Sequence, residues 1–297
     1  MGMQKFYSNG KLLLTAEYLV LDGAKALAVP TKFGQNLIVK PGENQEIHWT
    51  SFDSDNTIWF EDTITFEAIK NKTTTDKNPT VKNTLIEILH QAYLQNPNFL
   101  QSNGYLVETH LTFPRNWGLG TSSTLINNIG QWLQIDAFEL LRKSFGGSGY
   151  DIACAQTNEP ILYWLENEKA NFETVAFYPE FKENIHFVYL NQKQSSKSAI
   201  SNYMSKQHRV HKVIPEINQI TEEVLQCNDG RSFALLMEKH QAIMSNLLET
   251  ITVKEQLFPD FKGIVKSLGA WGGDFVMVIS KENPTQYFKN KGYETVI

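Results

Sequence analysis

Residues Pro114 to Ser123 read Pro-Arg-Asn-Trp-Gly-Leu-Gly-Thr-Ser-Ser, and their types suit a phosphate chain. A strand-like run, Tyr105 to Thr112, precedes them, and a helix-compatible stretch, Thr124 to Gln134, follows. Small residues at Gly118, Gly120, Thr121, Ser122 and Ser123, with Leu119 between the glycines, let an anion approach the backbone. At a helix start, free N–H groups and the positive end of the helix dipole attract such an anion. The segment is not a Walker loop, because Gly120 is followed by Thr-Ser-Ser where that motif needs Lys and then Ser or Thr. A hydroxyl of Ser122 or Ser123 is free to give its oxygen to Mg²⁺ on the phosphates. A ligand-free helix cap would use the same residue types. The chemistry indicated is nucleotide triphosphate binding and phosphoryl transfer.

Three other positions could join that chemistry. Asp151 follows the glycine cluster Gly146-Gly147-Ser148-Gly149, where a carboxylate could accept a proton from a substrate hydroxyl. Lys11, after Gly10 at the start of an apolar strand, could neutralise phosphate or favour the ionised form of a nearby acid. Glu17 interrupts an apolar run and reads as an internal ion-pair partner or an exposed side chain. Asn184 to Pro215 contains no Asp or Glu but holds Lys193, Lys197, Lys206, Arg209 and Lys212, which suggests an anionic ligand or a solvated basic face. Gly269 to Asp274 is a third glycine cluster ahead of a strand-like Phe275 to Ile279.

The elements that must hold these residues follow from apolar spacing. Strands are expected at Lys11–Thr15, Leu27–Val39, Glu46–Thr50, Thr57–Phe60, Ile161–Trp164 and Phe187–Leu190. Helices are expected at Asn83–Tyr93 and Ala137–Phe145, and across Ser196–Leu248, punctuated by Pro215 and the Asn228-Asp229-Gly230 turn. The polar stretch Glu166 to Asn171 marks a boundary, giving expected domains 1–175 and 176–297. The 297 residues are 41% hydrophobic and 20% charged, which permits a sizeable core. The net charge of −5 points away from nucleic acid. No apolar run is long enough to span a membrane. Cys154 and Cys227 make neither a metal motif nor a disulfide framework, so a cytoplasmic location is expected.

Taken in order, these segments resemble the GHMP kinase superfamily. Asn9-Gly10-Lys11 through Ala16-Glu17-Tyr18 is similar to that family's Pro-Gly-Lys entry and Gly-Glu-Tyr segment. Pro114 to Ser123 resembles its Pro-x-x-x-Gly-Leu-Gly-Ser-Ser-Ala, and Gly269 to Asp274 its late glycine-rich turn. Gly149-Tyr150-Asp151-Ile152-Ala153 looks like the place where mevalonate and phosphomevalonate kinases carry a catalytic Asp, and the phosphomevalonate branch is the most similar. The resemblance spans nearly the whole chain. Departures are Asn9 for Pro, Ala16 for Gly, Thr121 for Ser, Ser123 for Ala, and Trp271 where a smaller residue is usual.

The resemblance implies an α+β fold. Its N-terminal domain would be β-rich with a left-handed βαβ crossover, its C-terminal domain ferredoxin-like, and the active site would lie in the cleft between them. ATP would rest on Gly118, Leu119, Gly120, Thr121, Ser122 and Ser123. Mg²⁺ would be held by Ser122, with Glu139 a second ligand by position. Asp151 and Lys11 would be catalytic. The acceptor, mevalonate or phosphomevalonate, would meet Glu17, Gly272, Gly273 and the Lys193, Ser195, Ser196, Lys197 loop. Other alcohol kinases acting on homoserine or a sugar, a diphosphomevalonate decarboxylase-like enzyme and a non-catalytic nucleotide-binding relative remain alternatives, and a homodimer stays open.

Overall fold

The computed structural model describes residues 2–73, 80–192, 201, 203–205, 207–269, 271 and 273–296. The chain forms two compact units. The first comprises Met1–Lys11, Pro30–Arg115 and Leu119–Asn158; the second comprises Leu12–Val29, Asn116–Gly118 and Glu159–Ile297. The turn carrying Glu17 leaves the first unit for the second and returns within the strand Ala26–Pro41, a long-range arrangement that local pattern does not encode.

In the first unit, β1 (Gln4–Leu13) pairs with β2 (Ala26–Pro41). The sheet continues from β2 to β5 (Tyr105–Leu111), β3 (Glu46–Phe52) and β4 (Ile58–Thr65). β3 and β5 are parallel, so a crossover joins them. It runs through α1 (Phe66–Asn71) and α2 (Val81–Gln95). Three more helices follow: α3 (Thr121–Leu133), α4 (Ala137–Ser144) and α5 (Tyr150–Ala155). Alternate strand residues Leu37, Val39, Ile47, Trp49 and Val107 meet Leu85, Ile88, Leu89, Ile126 and Ile129 of the helices in one core.

Helix α3 also carries a buried polar seam that fixes its position. Asn127 Nδ2 donates to Ser8 Oγ at 2.8 Å, and Ser8 Oγ donates to Asn128 Oδ1 at 2.8 Å. Asn128 Nδ2 donates to the Gln35 carbonyl at 2.9 Å, and Thr124 Oγ1 to Gln35 Oε1 at 2.9 Å. Buried amides cost about 1–3 kcal/mol each when left unpaired, so this network penalises any slide of α3 along β1 and β2.

In the second unit, Ala26–Ala28 of β2 pair with β6 (Ile161–Glu166), which forms a hairpin with β7 (Lys169–Thr174). The polar break at 166–171 thus spans this hairpin's turn, Asn167 and Glu168 at φ 50° and 62°, and the strand ends that flank it. The other sheet contains β8 (Ile185–Tyr189), β9 (Ile264–Leu268), β10 (Phe275–Ile279) and β11 (Glu294–Thr295) in the order β11-β8-β10-β9, all antiparallel. That order is the ferredoxin-like split βαβ arrangement.

Helices α6 (Gln207–Gln226), α7 (Gly230–Leu248) and α8 (Val253–Leu257) lie between β8 and β9 in the chain, and α9 (Thr285–Asn290) follows β10. Pro215 does not divide α6. Val210, Ile217, Ile220 and Val224 form a buried stripe, whose packing outweighs the ~3 kcal/mol a mid-helix proline costs. The Asn-Asp-Gly turn does act as expected. Asp229 caps α7 by accepting from the backbone N–H groups of Arg231 and Ser232 at 3.0 and 2.9 Å.

Candidate active site

The first unit gathers Lys11, the end of the glycine loop and Asp151. Helix α3 starts at Gly120, which takes φ 96° and supplies no capping side chain. The first-turn N–H groups of Thr121, Ser122 and Ser123 therefore have no side-chain cap, the arrangement an anion can complete. Ser122 is half-buried and Ser123 buried. Lys11 is fixed beside this turn, because its backbone N–H donates to the Leu119 carbonyl at 3.0 Å. Gly10 permits that approach: a Cβ there would stand 2.8 Å from Leu119 O and 2.8 Å from Thr31 Oγ1. Gly10 was visible in the sequence only as part of the entry motif; the contact that requires it spans more than a hundred residues.

Helix α5 begins in the same way, at Gly149 with φ 92° and no side-chain cap. Tyr150 and Asp151 are its first two residues, so their side chains diverge by roughly 100° around the axis. The Lys11 ammonium lies 5.4 Å from the centroid of the Tyr150 ring. Burial pushes the Tyr150 phenol well above its ordinary range, and Lys11 opposes that rise through its charge and a hydrogen bond. Cys154, fully buried one turn along, has its thiol pushed up by burial, then by the Asp151 charge, with Lys11 opposing. These acting charges place Lys11, Tyr150 and Asp151 in one electrostatic neighbourhood.

Glu139 belongs to a different helix. It sits in the first turn of α4, paired with Lys143 at 2.6 Å, and that partner holds its carboxyl below the usual range. Among the described residues no group of three His, Cys, Asp or Glu side chains could hold a metal ion.

The second unit holds the rest of the first motif and the third. Glu17 is 2% exposed, and its Oε1 pairs with the Nζ of Lys266, which is itself buried on β9. The Glu17 charge is enclosed with that of a lysine, the internal ion-pair place that its position in an apolar run allowed. Burial pushes the Glu17 carboxyl up and the Lys266 ammonium down, and each partner's charge opposes the shift of the other. Ala16 and Tyr18, on either side, take φ 61° and 62°, the left-handed region where glycine is favoured. The Ala16 N–H donates to Nε2 of buried His240 at 2.9 Å. A ring accepting there carries its proton on Nδ1 and is neutral. Burial, then Lys266, holds its pKa well below 6.5.

That histidine makes a prediction. The unfolded chain binds a proton below pH ~6.5 that the folded chain refuses, so His240's contribution is complete above that pH and lost below it. At pH 5.5 the loss relative to pH 7.5 should be on the order of 1 kcal/mol. Urea unfolding of wild type and His240→Gln at both pH values should show this difference between their pH dependences. Parallel dependences would refute it.

Tyr18 ties this turn to the third motif. Its hydroxyl accepts from the Trp271 backbone N–H at 2.6 Å, and its ring stacks on Tyr203 at 5.5 Å. Burial pushes the Tyr18 phenol up to about 12, with the Trp271 N–H opposing. The Trp271 indole donates to the Ile251 carbonyl at 3.3 Å, which draws it toward that loop. Gly273 is buried. An ideal Cβ on Gly118 would fall 2.1 Å from Oδ2 of Asp274, so the carboxylate ending the third motif packs against the loop glycine. Asp274 had drawn no role from the sequence. Lys193, Ser195, Ser196, Lys197 and Gly272 lie outside the described residues. Of the basic stretch, Arg209 is paired with Glu249 at 2.8 Å.

With this geometry in place, solved structures are informative. The chain matches mevalonate kinase from Methanococcus jannaschii at 15% identity and TM-score 0.70, covering 100% of this chain and 99% of that one. It matches Streptococcus pneumoniae phosphomevalonate kinase, solved with phosphomevalonate and AMPPNP, at 15% identity and TM-score 0.64, covering 99% and 98%. Lactococcus lactis galactokinase, complexed with galactose, follows at 11% identity and TM-score 0.69, covering 99% and 92%. The chain has the GHMP kinase fold. No family model and no curated protein matches the sequence. Among the described residues no helix is long and apolar enough to cross a membrane.

Proposed function

We propose that this GHMP-fold chain transfers the γ-phosphoryl group of ATP to a small anionic acceptor, mevalonate or phosphomevalonate. The observation carrying this reading is the clustering, in one unit, of the uncapped α3 N-terminus, Lys11 bonded to Leu119, and Asp151 opening α5. Full-length likeness to both kinds of kinase supports it.

The N–H groups of Thr121, Ser122 and Ser123 hold phosphate oxygens, and Lys11 offsets charge on the group in transit. Asp151 orients the acceptor oxygen. As the new O–P bond forms and the bond to ADP breaks, it takes the proton of a hydroxyl acceptor. Mg²⁺ suits this donor set, because it keeps several waters and takes one or two protein oxygens beside substrate phosphates. Ser122 would supply one of those oxygens. Glu139, whose Oε1 pairs with Lys143, would supply another through its second oxygen. When bound, the ion neutralises charge on the β- and γ-phosphates.

Coupled ADP release with Mg-ATP against mevalonate, phosphomevalonate, diphosphomevalonate, homoserine and galactose tests the reading. Turnover on either of the first two supports it. ADP and CO₂ release from diphosphomevalonate alone, turnover only on homoserine or galactose, or ATP binding with no turnover would each displace it.

A further inference from the structure

We propose that the outer edge of β7 is an interface, at which a second copy of this chain adds its own β7 across a two-fold axis. The inference is independent of the kinase reading.

β7 ends its sheet: among the described strands it pairs only with β6. Antiparallel pairing alternates residues whose peptide groups face the partner with residues whose peptide groups face away. The Val175 N–H donates to the Pro160 carbonyl at 2.8 Å, so the odd-numbered positions are those that face β6. Ala170, Phe172 and Thr174 therefore direct their N–H and C=O groups to the outer edge. An edge of this kind is a template for another strand. The run Lys169–Thr174 contains no proline or glycine, and Lys169, Phe172, Glu173 and Thr174 are exposed.

Charge selects the occupant. Lys169, Asn171 and Glu173 share one face of the strand. Among the described residues neither Lys169 nor Glu173 takes part in an ion pair. A lysine on an edge ordinarily guards against a second strand, but here its complement stands four residues along the same strand. When two copies of β7 meet antiparallel with Asn171 opposite Asn171, Lys169 of each lies opposite Glu173 of the other. Ala170 and Phe172 then exchange the backbone hydrogen bonds. The Lys169–Glu173 pairs fall at the closely spaced positions between those bonds, about 4.5 Å apart at Cα. The contact is isologous, so the pair forms twice. A slip of one residue misaligns the outward peptide groups, and a slip of two separates both charge pairs.

The opposite end of the sheet offers no such match. β4 carries Glu61 and Asp62 near its centre, so antiparallel self-pairing there would set acid against acid. In the four-stranded sheet β11 is two residues long, and β9 is buried along all but its first residue.

Sedimentation velocity from low to several hundred micromolar protein tests the proposal. Six residues make a small interface, so a concentration-dependent monomer–dimer equilibrium is expected. Lys169→Glu and Glu173→Lys each turn two attractions into two repulsions. Each should weaken dimerisation about ten- to a hundredfold, at an unchanged unfolding midpoint because both sites are exposed. Mixed in equal amounts, the two variants should form a heterodimer with near wild-type affinity, since both of its contacts again join opposite charges. Oxidation of Asn171→Cys in a Cys227→Ser background should give a disulfide-linked dimer, because residue 171 meets itself across the axis within disulfide reach. A wild type that stays monomeric at every concentration would overturn the proposal. So would a dimer that both single variants retain, a mixture of the two that fails to associate, or a dimer that Asn171→Cys does not cross-link.

Discussion

Glu17→Ala is expected to lower the unfolding free energy by about 3–5 kcal/mol, because it leaves the Lys266 ammonium buried without its counter-ion. Both side chains are enclosed, Glu17 at 2% exposure and Lys266 at 0%. The Lys266 ammonium also donates to the Ser267 carbonyl at 3.1 Å, but that single neutral acceptor cannot replace a carboxylate. Urea unfolding at pH 7.5 measures the loss. The Glu17→Leu/Lys266→Met double variant separates the charge effect from simple truncation. With both ions removed, no charge remains to be desolvated, and stability should return close to wild type or exceed it. A Glu17→Ala loss under 1 kcal/mol, or a double variant no more stable than Glu17→Ala, would show that the pair is not the source of the penalty.

The parts of this arrangement visible in the sequence are those governed by near neighbours. Phe275–Ile279 was expected as a strand and is β10, its residues all buried. The glycine loop was expected to start a helix, and it does, three residues earlier than apolar spacing indicated. Thr121, Ser122 and Ser123 are polar because they line the helix mouth, so they carry no apolar signal. The seam on α3 hid in the same way: Asn127 and Asn128 look like surface residues until Ser8 and Gln35 meet them.

Glu17 shows the limit more sharply. Its type and place allowed an internal ion-pair partner, but Lys266 lies 249 residues away on β9 and His240 comes from helix α7. No local periodicity records either approach. Ala16 in place of glycine at φ 61° was legible as a departure from the family's pattern, yet its conformational cost follows only from the backbone. The two-unit division was hidden for the same reason, since β2 contributes residues to both units.

Asp151→Asn should reveal the acceptor as well as the base. The substitution keeps the shape of the side chain and removes its charge and its capacity to accept a proton. With a hydroxyl acceptor such as mevalonate, losing the general base should cost about 10²–10⁴-fold in kcat. With a phosphate monoester acceptor the attacking oxygen is largely ionised at neutral pH, because its second pKa is near 6, and there is little proton to remove. Asp151 then acts by orientation and charge alone, and the loss should be smaller, about ten- to a hundredfold. ATP affinity should stay within a few-fold of wild type in either case, because the α3 N–H groups proposed to hold the phosphates are untouched. Single-turnover rates with both acceptors, beside an equilibrium titration with a non-hydrolysable ATP analogue, measure these terms separately. Equal rates in variant and wild type would remove Asp151 from the reaction. A large parallel loss of nucleotide binding would place its carboxylate in the architecture of the α5 turn rather than at the acceptor.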